Sequence, residues 1–245
     1  MAELKYIFAQ PDYVEGIDKD NPICIYPVRL KDYDKFSEVS HLLHISKNHF
    51  ENIEYPLLLL IFSSLPHLQL TQEELVKKLE DIFSITTRQD VKFISNGQIE
   101  GFIIGNSNII TIYNYEEIRN IILKQNLIHE QKIYKTKIMN DWAQKALKAK
   151  QKNASKILME DIITTVSVGT GKNYSDLENY TIYQIYSDFY RLRKMVEYDT
   201  NVQFKCVGAD LKLDDYAEDL DIFHNPYDDL FVSSDKLGGL NKALK

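Results

Sequence analysis

The sequence predicts an α+β protein. Its N-terminal half pairs a small antiparallel sheet with packed helices, and its C-terminal half is mainly helical. Three observations carry this. Between Asp90 and Tyr113, short runs rich in Ile, Val and Phe are separated by turn residues, and Asn96-Gly97 is a strong hairpin signal. From Tyr180 to Tyr198, apolar residues recur at offsets of three, four and seven, the spacing of one helix face. Gly (9) and Pro (6) are scarce in 245 residues, which leaves little chain for long loops or glycine-rich phosphate cradles.

In chain order, Leu4 to Ala9 and Ile23 to Leu30 read as short strands, rich in Ile, Tyr and Val. Between them, Pro11, Gly16 and Asp18-Lys-Asp-Asn-Pro22 supply turn chemistry. Lys31 to Leu43 has helical apolar spacing. Pro56 to Leu65 is an apolar segment that reads as a buried helix beginning at its proline. Thr71 and Glu74 form a capping box that opens an amphipathic helix on Leu75, Val76, Leu79, Ile82 and Phe83. Val91–Ser95, Ile99–Ile104 and Asn108–Tyr113 are the expected strands of a meander, with Gly105-Asn106-Ser107 as its second turn. Asn114, with Glu117 three residues on, is expected to cap a helix carrying Ile118, Ile121 and Ile122.

The character changes near Leu127. We expect an α+β domain over residues 1–130 and a mainly helical domain with an acidic C-terminal tail over residues 131–245. Lys135 to Lys152 is a basic helical stretch holding Trp142, the single tryptophan. Ile157 to Val166 reads as a helix, followed by a loop at Gly169–Asn173. Thr181 and Gln184 make another capping box, opening the helix around which the rest of the chain is read. Ile182, Ile185, Tyr186, Phe189 and Val196 form its apolar face, and Tyr183, Tyr186 and Tyr190 a stripe beside it. Arg191, Arg193 and Lys194 lie in its later part, where cations favour the negative end of the helix dipole. Val202 to Val207 is expected to be a strand. Asp210, Asp214, Asp215, Glu218, Asp219, Asp221, Asp228 and Asp229 make the tail acidic.

Composition bounds the function. A net charge of -7 argues against a general nucleic-acid binder, which needs an excess of Lys and Arg. The two cysteines, Cys24 and Cys206, match no metal spacing and fit a reduced, intracellular protein. The start reads as lacking a signal peptide, and the apolar run Pro56–Phe62 is too short to span a bilayer, so no membrane role is expected.

No catalytic, metal or cofactor residues are assigned. Val168-Gly-Thr-Gly-Lys172 invites comparison with a phosphate loop. That loop needs a Gly five residues before its Gly-Lys pair and a Ser or Thr after it, whereas this chain has Val166 and Asn173, so a helix–helix connector is the reading. His41 and His44 share an offset of three, but beyond His49 and Glu51 no further zinc ligand lies near. The acidic tail lacks the glycine of a calcium loop. A solvated face or a contact with a basic partner accounts for it, and Lys145–Lys156 of a neighbouring copy would supply such a partner. The remaining assignment is a protein-interaction site at Tyr183, Tyr186, Tyr190 and Arg191, because tyrosine offers a large amphipathic contact area at low entropic cost.

Two segments resemble proteins of the tail-morphogenesis region of phages of Gram-positive bacteria: residues 20–36, Asp-Asn-Pro-Ile-Cys-Ile-Tyr-Pro-Val-Arg-Leu-Lys-Asp-Tyr-Asp-Lys-Phe, and residues 174–192. In the second, Tyr174-Ser-Asp-Leu-Glu-Asn-Tyr-Thr-Ile-Tyr-Gln-Ile-Tyr-Ser-Asp-Phe-Tyr-Arg-Leu192 is similar to a segment of tail assembly chaperones in which a helix follows a short acidic turn. The resemblance implies a non-enzymatic protein of the host cytoplasm that binds the tape-measure protein and helps tail-tube subunits polymerise, with self-association open. This chain is long for that group and its acidic tail has no counterpart there, which leaves a structural virion subunit as the alternative. A nucleic-acid or nucleotide-handling protein, resting on Lys172 and the basic stretch, is the third reading.

Overall fold

The structure, a computed structural model, describes residues 4–16, 21–50, 54–95, 100–106, 108–130, 137–153 and 157–225. The Asn96-Gly97 turn, Asp20, Glu51, Asp228 and Asp229 lie outside the described residues. The fold is α+β: two small antiparallel sheets with packed helices in the N-terminal half, and helices in the C-terminal half. Among the described residues no helix is long and apolar enough to cross a membrane.

The chain opens with α1 (Leu4–Ile7), not the strand expected there. Its backbone closes on itself, Phe8 N–H donating to Leu4 C=O at 3.0 Å, while Tyr6 is buried and Leu4 and Phe8 are exposed. Among the described residues no strand pairs with this stretch. β1 (Asp12–Val14) then pairs with β2 (Ile23–Ile25), Tyr13 opposite Cys24. The expected strand to Leu30 stops at Ile25. Beyond it a 3-10 turn (Leu30–Asp32) leads into α2 (Tyr33–Val39), and two further 3-10 turns (Ser40–His44, Lys47–His49) follow.

α3 (Leu57–Ser63) begins directly after Pro56, as its sequence suggests, and a single turn, α4 (Leu65–Leu68), follows it. α5 (Gln72–Thr87) has the expected capping box: Glu74 N–H donates to Thr71 Oγ1 at 3.2 Å, and Thr71 N–H to the Glu74 carboxylate at 2.8 Å. Its buried face is Leu75, Leu79, Ile82 and Phe83.

β3 (Val91–Ser95), β4 (Glu100–Ile104) and β5 (Asn108–Ile110) form the meander in sequence order. Phe93 lies opposite Phe102, rings 5.1 Å apart, and Phe102 packs edge-on against Phe83 of α5 at the same distance. Gly101 is required where it stands: a Cβ there would sit 2.4 Å from the Ile110 carbonyl oxygen. α6 (Tyr115–Gln125) follows, but Asn114 does not cap it with its side chain. Asn114 Oδ1 instead accepts from Thr111 N–H at 2.7 Å, tightening the turn before the helix. α6 buries Ile118 and Ile122 against the same core.

The C-terminal half is α7 (Lys137–Asn153), α8 (Met159–Thr170), the single turn α9 (Tyr174–Leu177) and α10 (Ile182–Cys206). The expected strand at Val202–Val207 is the last turn of α10. Valine loses only about 0.5 kcal/mol per residue relative to the best helix formers, and extending a helix already formed avoids the cost of a new nucleus. No breaker intervenes until Gly208, at φ +98°. Ile162, Val166, Leu177, Ile185 and Phe189 form a small second core between α8, α9 and α10.

Backbone bonds dock this helical part on the first half. Leu30 N–H donates to Tyr180 C=O at 2.8 Å, Lys31 N–H to Glu178 C=O at 2.9 Å, and Ile182 N–H to Val28 C=O at 3.3 Å. Ile182 itself belongs to the larger core. Buried Arg119 pairs with Glu130 and so holds the segment after α6 that forms one wall of the cleft described next.

Candidate protein-interaction face

α10 starts where the sequence says it should. Thr181 is buried, its Oγ1 accepts from Gln184 N–H at 3.2 Å, and its own N–H donates to Gln184 Oε1 at 2.8 Å. The Gln184 amide also donates to Ile7 C=O at 2.7 Å, which ties α1 to the helix start.

From that anchor the tyrosines diverge. Tyr183 is buried, its ring centroid 5.6 Å from Tyr6 of α1 and 5.4 Å from Phe223 in the segment after α10. Burial, with Asp219 and Tyr6 adding, raises its hydroxyl pKa above the usual tyrosine range. Tyr186 is half-buried; burial, then Tyr33 and Tyr190, push its hydroxyl in the same direction. Its ring lies 6.0 Å from that of Tyr190, which is 38% exposed. Tyr183 is therefore spent within the chain, and Tyr190 is the member of the stripe that faces solvent. Arg191 is also engaged internally: its guanidinium donates to the Tyr216 carbonyl and, at 2.9 Å, to that of Glu218.

Tyr186 and Tyr190 line a cleft of about 790 Å³ between α2, α8 and α10. Tyr33, Phe36, Ile128, Leu147, Met159 and Ile182 are among its apolar lining, and Asp221 and Ile222 of the segment after α10 line it too. His44 borders it too; partial burial and the Arg119 guanidinium hold its imidazole below the usual histidine range. A cleft lined by aromatic and aliphatic side chains together with hydroxyls, imidazoles and one carboxylate suits the side chains of a polypeptide.

Beyond Leu192 the helix leaves α8. Leu192 packs under Gly169 of α8 so closely that a Cβ on the glycine would approach Leu192 Cδ1 to 2.8 Å. α8 ends one residue later, at Thr170. From there Met195 (43%), Val196 (65%) and Phe204 (53%) are exposed. Met195, Val196 and Phe204 thus put exposed apolar side chains on the part of α10 that lies past the end of α8.

The other sequence candidates have structural places. Gly171, at φ +71°, ends α8 in the left-handed conformation, its N–H donating to Ser167 C=O at 2.9 Å. Lys172 donates to the Tyr180 hydroxyl and, at 3.2 Å, to Asp188. His49 joins Ser46 in a capping box, and His41 Nδ1 lies 3.0 Å from Glu38 C=O. Among the described residues no three His, Cys, Asp or Glu are grouped to hold a metal ion. Sequence reading missed Tyr6, Tyr33 and Phe223, which lie far from α10 along the chain. The available hint was Leu220-Asp-Ile-Phe223, three apolar residues inside an acidic run.

Residues 149–221 match the family described as the YomV second domain. This stretch runs from the end of α7 through α8, α9 and α10 into the segment that returns to α10, so the match covers the helical unit that carries the face. The chain is also similar to the SPbeta prophage-derived uncharacterized protein YomV of Bacillus subtilis (strain 168), at 26% identity over 116 residues, 47% of this chain and 49% of that protein. The match thus spans about half the length of that relative. No solved structure gives a significant match.

Proposed function

We propose that the chain is a non-catalytic protein of prophage origin that takes part in phage tail assembly, binding another tail protein, the tape-measure or tail-tube protein, through the exposed face of α10. The observation that carries this reading is the set of exposed apolar side chains Tyr190, Met195, Val196 and Phe204 on one 25-residue helix. At 1.5 Å per residue such a helix is about 37 Å long, enough to lie along a partner helix over several turns. The likeness to a prophage-derived protein, with the family match falling on this helical unit, supports the phage setting. Assembly follows from the resemblance of residues 174–192 to tail assembly chaperones.

The test is co-expression with a phage tape-measure protein, followed by affinity capture. Wild type co-purifies with the partner, and Tyr190→Ala plus Val196→Asp abolishes capture while leaving the melting temperature in place. Unchanged capture by the double variant removes the contact assignment. Recovery of the chain from purified particles moves it from assembly factor to virion subunit.

A further inference from the structure

The acidic segment after α10 does not run off into solvent. Arg191 takes two of its backbone carbonyls, at Tyr216 and Glu218. Tyr198 receives the Tyr216 ring at 5.5 Å. Leu220 and Ile222 lie in a shallow groove with Tyr190, Arg193 and Lys194. Phe223 then enters a socket of Tyr6 (5.2 Å) and Tyr183 (5.4 Å), with the Lys124 ammonium 5.7 Å above its ring. The stretch that makes these contacts has no helix or strand of its own and is joined to α10 by the exposed residues 207–208 and 210–212. It is held by backbone capture, apolar residues and one aromatic anchor, and its Asp221 shares the α10 groove with Arg193, Lys194 and Glu197.

These are the parts of a peptide-recognition site occupied in cis. Building on the reading of this face as a binding face, we propose that the Tyr6–Tyr183–Lys124 socket and the adjoining α10 groove bind an extended acidic segment with an aromatic anchor from a partner protein. The chain's own residues 216–225 fill the site until that partner displaces them. Arg191 reads the partner's main chain, the socket takes its ring, and Arg193 and Lys194 favour its carboxylates. A tethered arm acts at a high effective concentration, so it masks the site without being tightly bound.

The probe is a fluorescent peptide of the sequence Tyr216–Asn225, titrated by anisotropy into the full chain. Phe223→Ala in the protein unseats the arm and leaves the socket intact, so the peptide binds this variant about tenfold more tightly than wild type. Adding Arg191→Ala to the variant weakens the peptide again, and a peptide with Ala in place of Phe223 does not bind. Equal affinity for wild type and Phe223→Ala, or no binding to either, overturns the proposal. So does equal binding of a scrambled peptide of the same composition, which would reduce the effect to charge. If Phe223→Ala fails to fold, Leu220→Ala plus Ile222→Ala unseats the arm at the groove and serves in its place. The peptide result does not depend on the identity of the tail partner: loss of co-purification with peptide binding intact rejects the assembly reading alone.

Discussion

The two halves of α10 have similar apolar content and opposite fates. Ile182, Tyr183, Ile185 and Phe189 are buried, whereas Met195, Val196 and Phe204 stand in solvent. The difference lies outside the helix. α8 ends beside Leu192, and α1 and Phe223 of the returning arm pack on the first half; on the second half the arm reaches Tyr198 through Tyr216 but leaves Met195, Val196 and Phe204 exposed. Amphipathic spacing says that a face wants cover; the lengths of neighbouring elements decide where cover stops.

Breaking the buried half has the largest expected effect. Ile185→Ala deletes a fully buried side chain from the small α8–α10 core and costs about 3 kcal/mol, read by denaturant unfolding. Hydrogen exchange should rise first in α8 and α10 and last in β3–β5, because the two cores are separate clusters with Tyr186 packed against both. Thr181→Ala removes the buried N-cap and costs about 1–2 kcal/mol by the same measurement.

Smaller effects sharpen the contrast. The Lys172–Asp188 pair is half-exposed, so Lys172→Met costs under about 1 kcal/mol and less in high salt. The Tyr180 hydroxyl, then Asp188, raise the Lys172 ammonium above its usual pKa. A raised folded-state value means the contribution is complete at neutral pH, below the unfolded-state value, and fades as pH climbs through the folded one. The gap between wild type and Lys172→Met should therefore hold at neutral pH and close above roughly pH 10.4. Val196→Asp, on the uncovered half, should move stability by no more than about 0.5 kcal/mol while abolishing partner capture.

Much of this fold could be read along the chain. The capping boxes at Thr71 and Thr181 place two helix starts, and the alternation around Phe93 and Phe102 places the meander, because each signal is local. What could not be read depends on residues far apart. Tyr183 and Tyr190 are the same residue type on the same stripe, and only Tyr6 and Phe223, from opposite ends of the described chain, separate the buried ring from the exposed one. Val202–Val207 has strand composition, but it continues a helix already under way, and composition does not record that history. Arg191 was legible as an interaction residue; that it holds the chain's own arm was not.

The measurement closest to the central claim is hydrogen exchange along α10, in the free chain and in the complex captured with the tape-measure protein. The account predicts new protection over residues 190–207, with β3–β5 unchanged. Protection that appears on the sheet and leaves that stretch exchanging as in the free chain would contradict it.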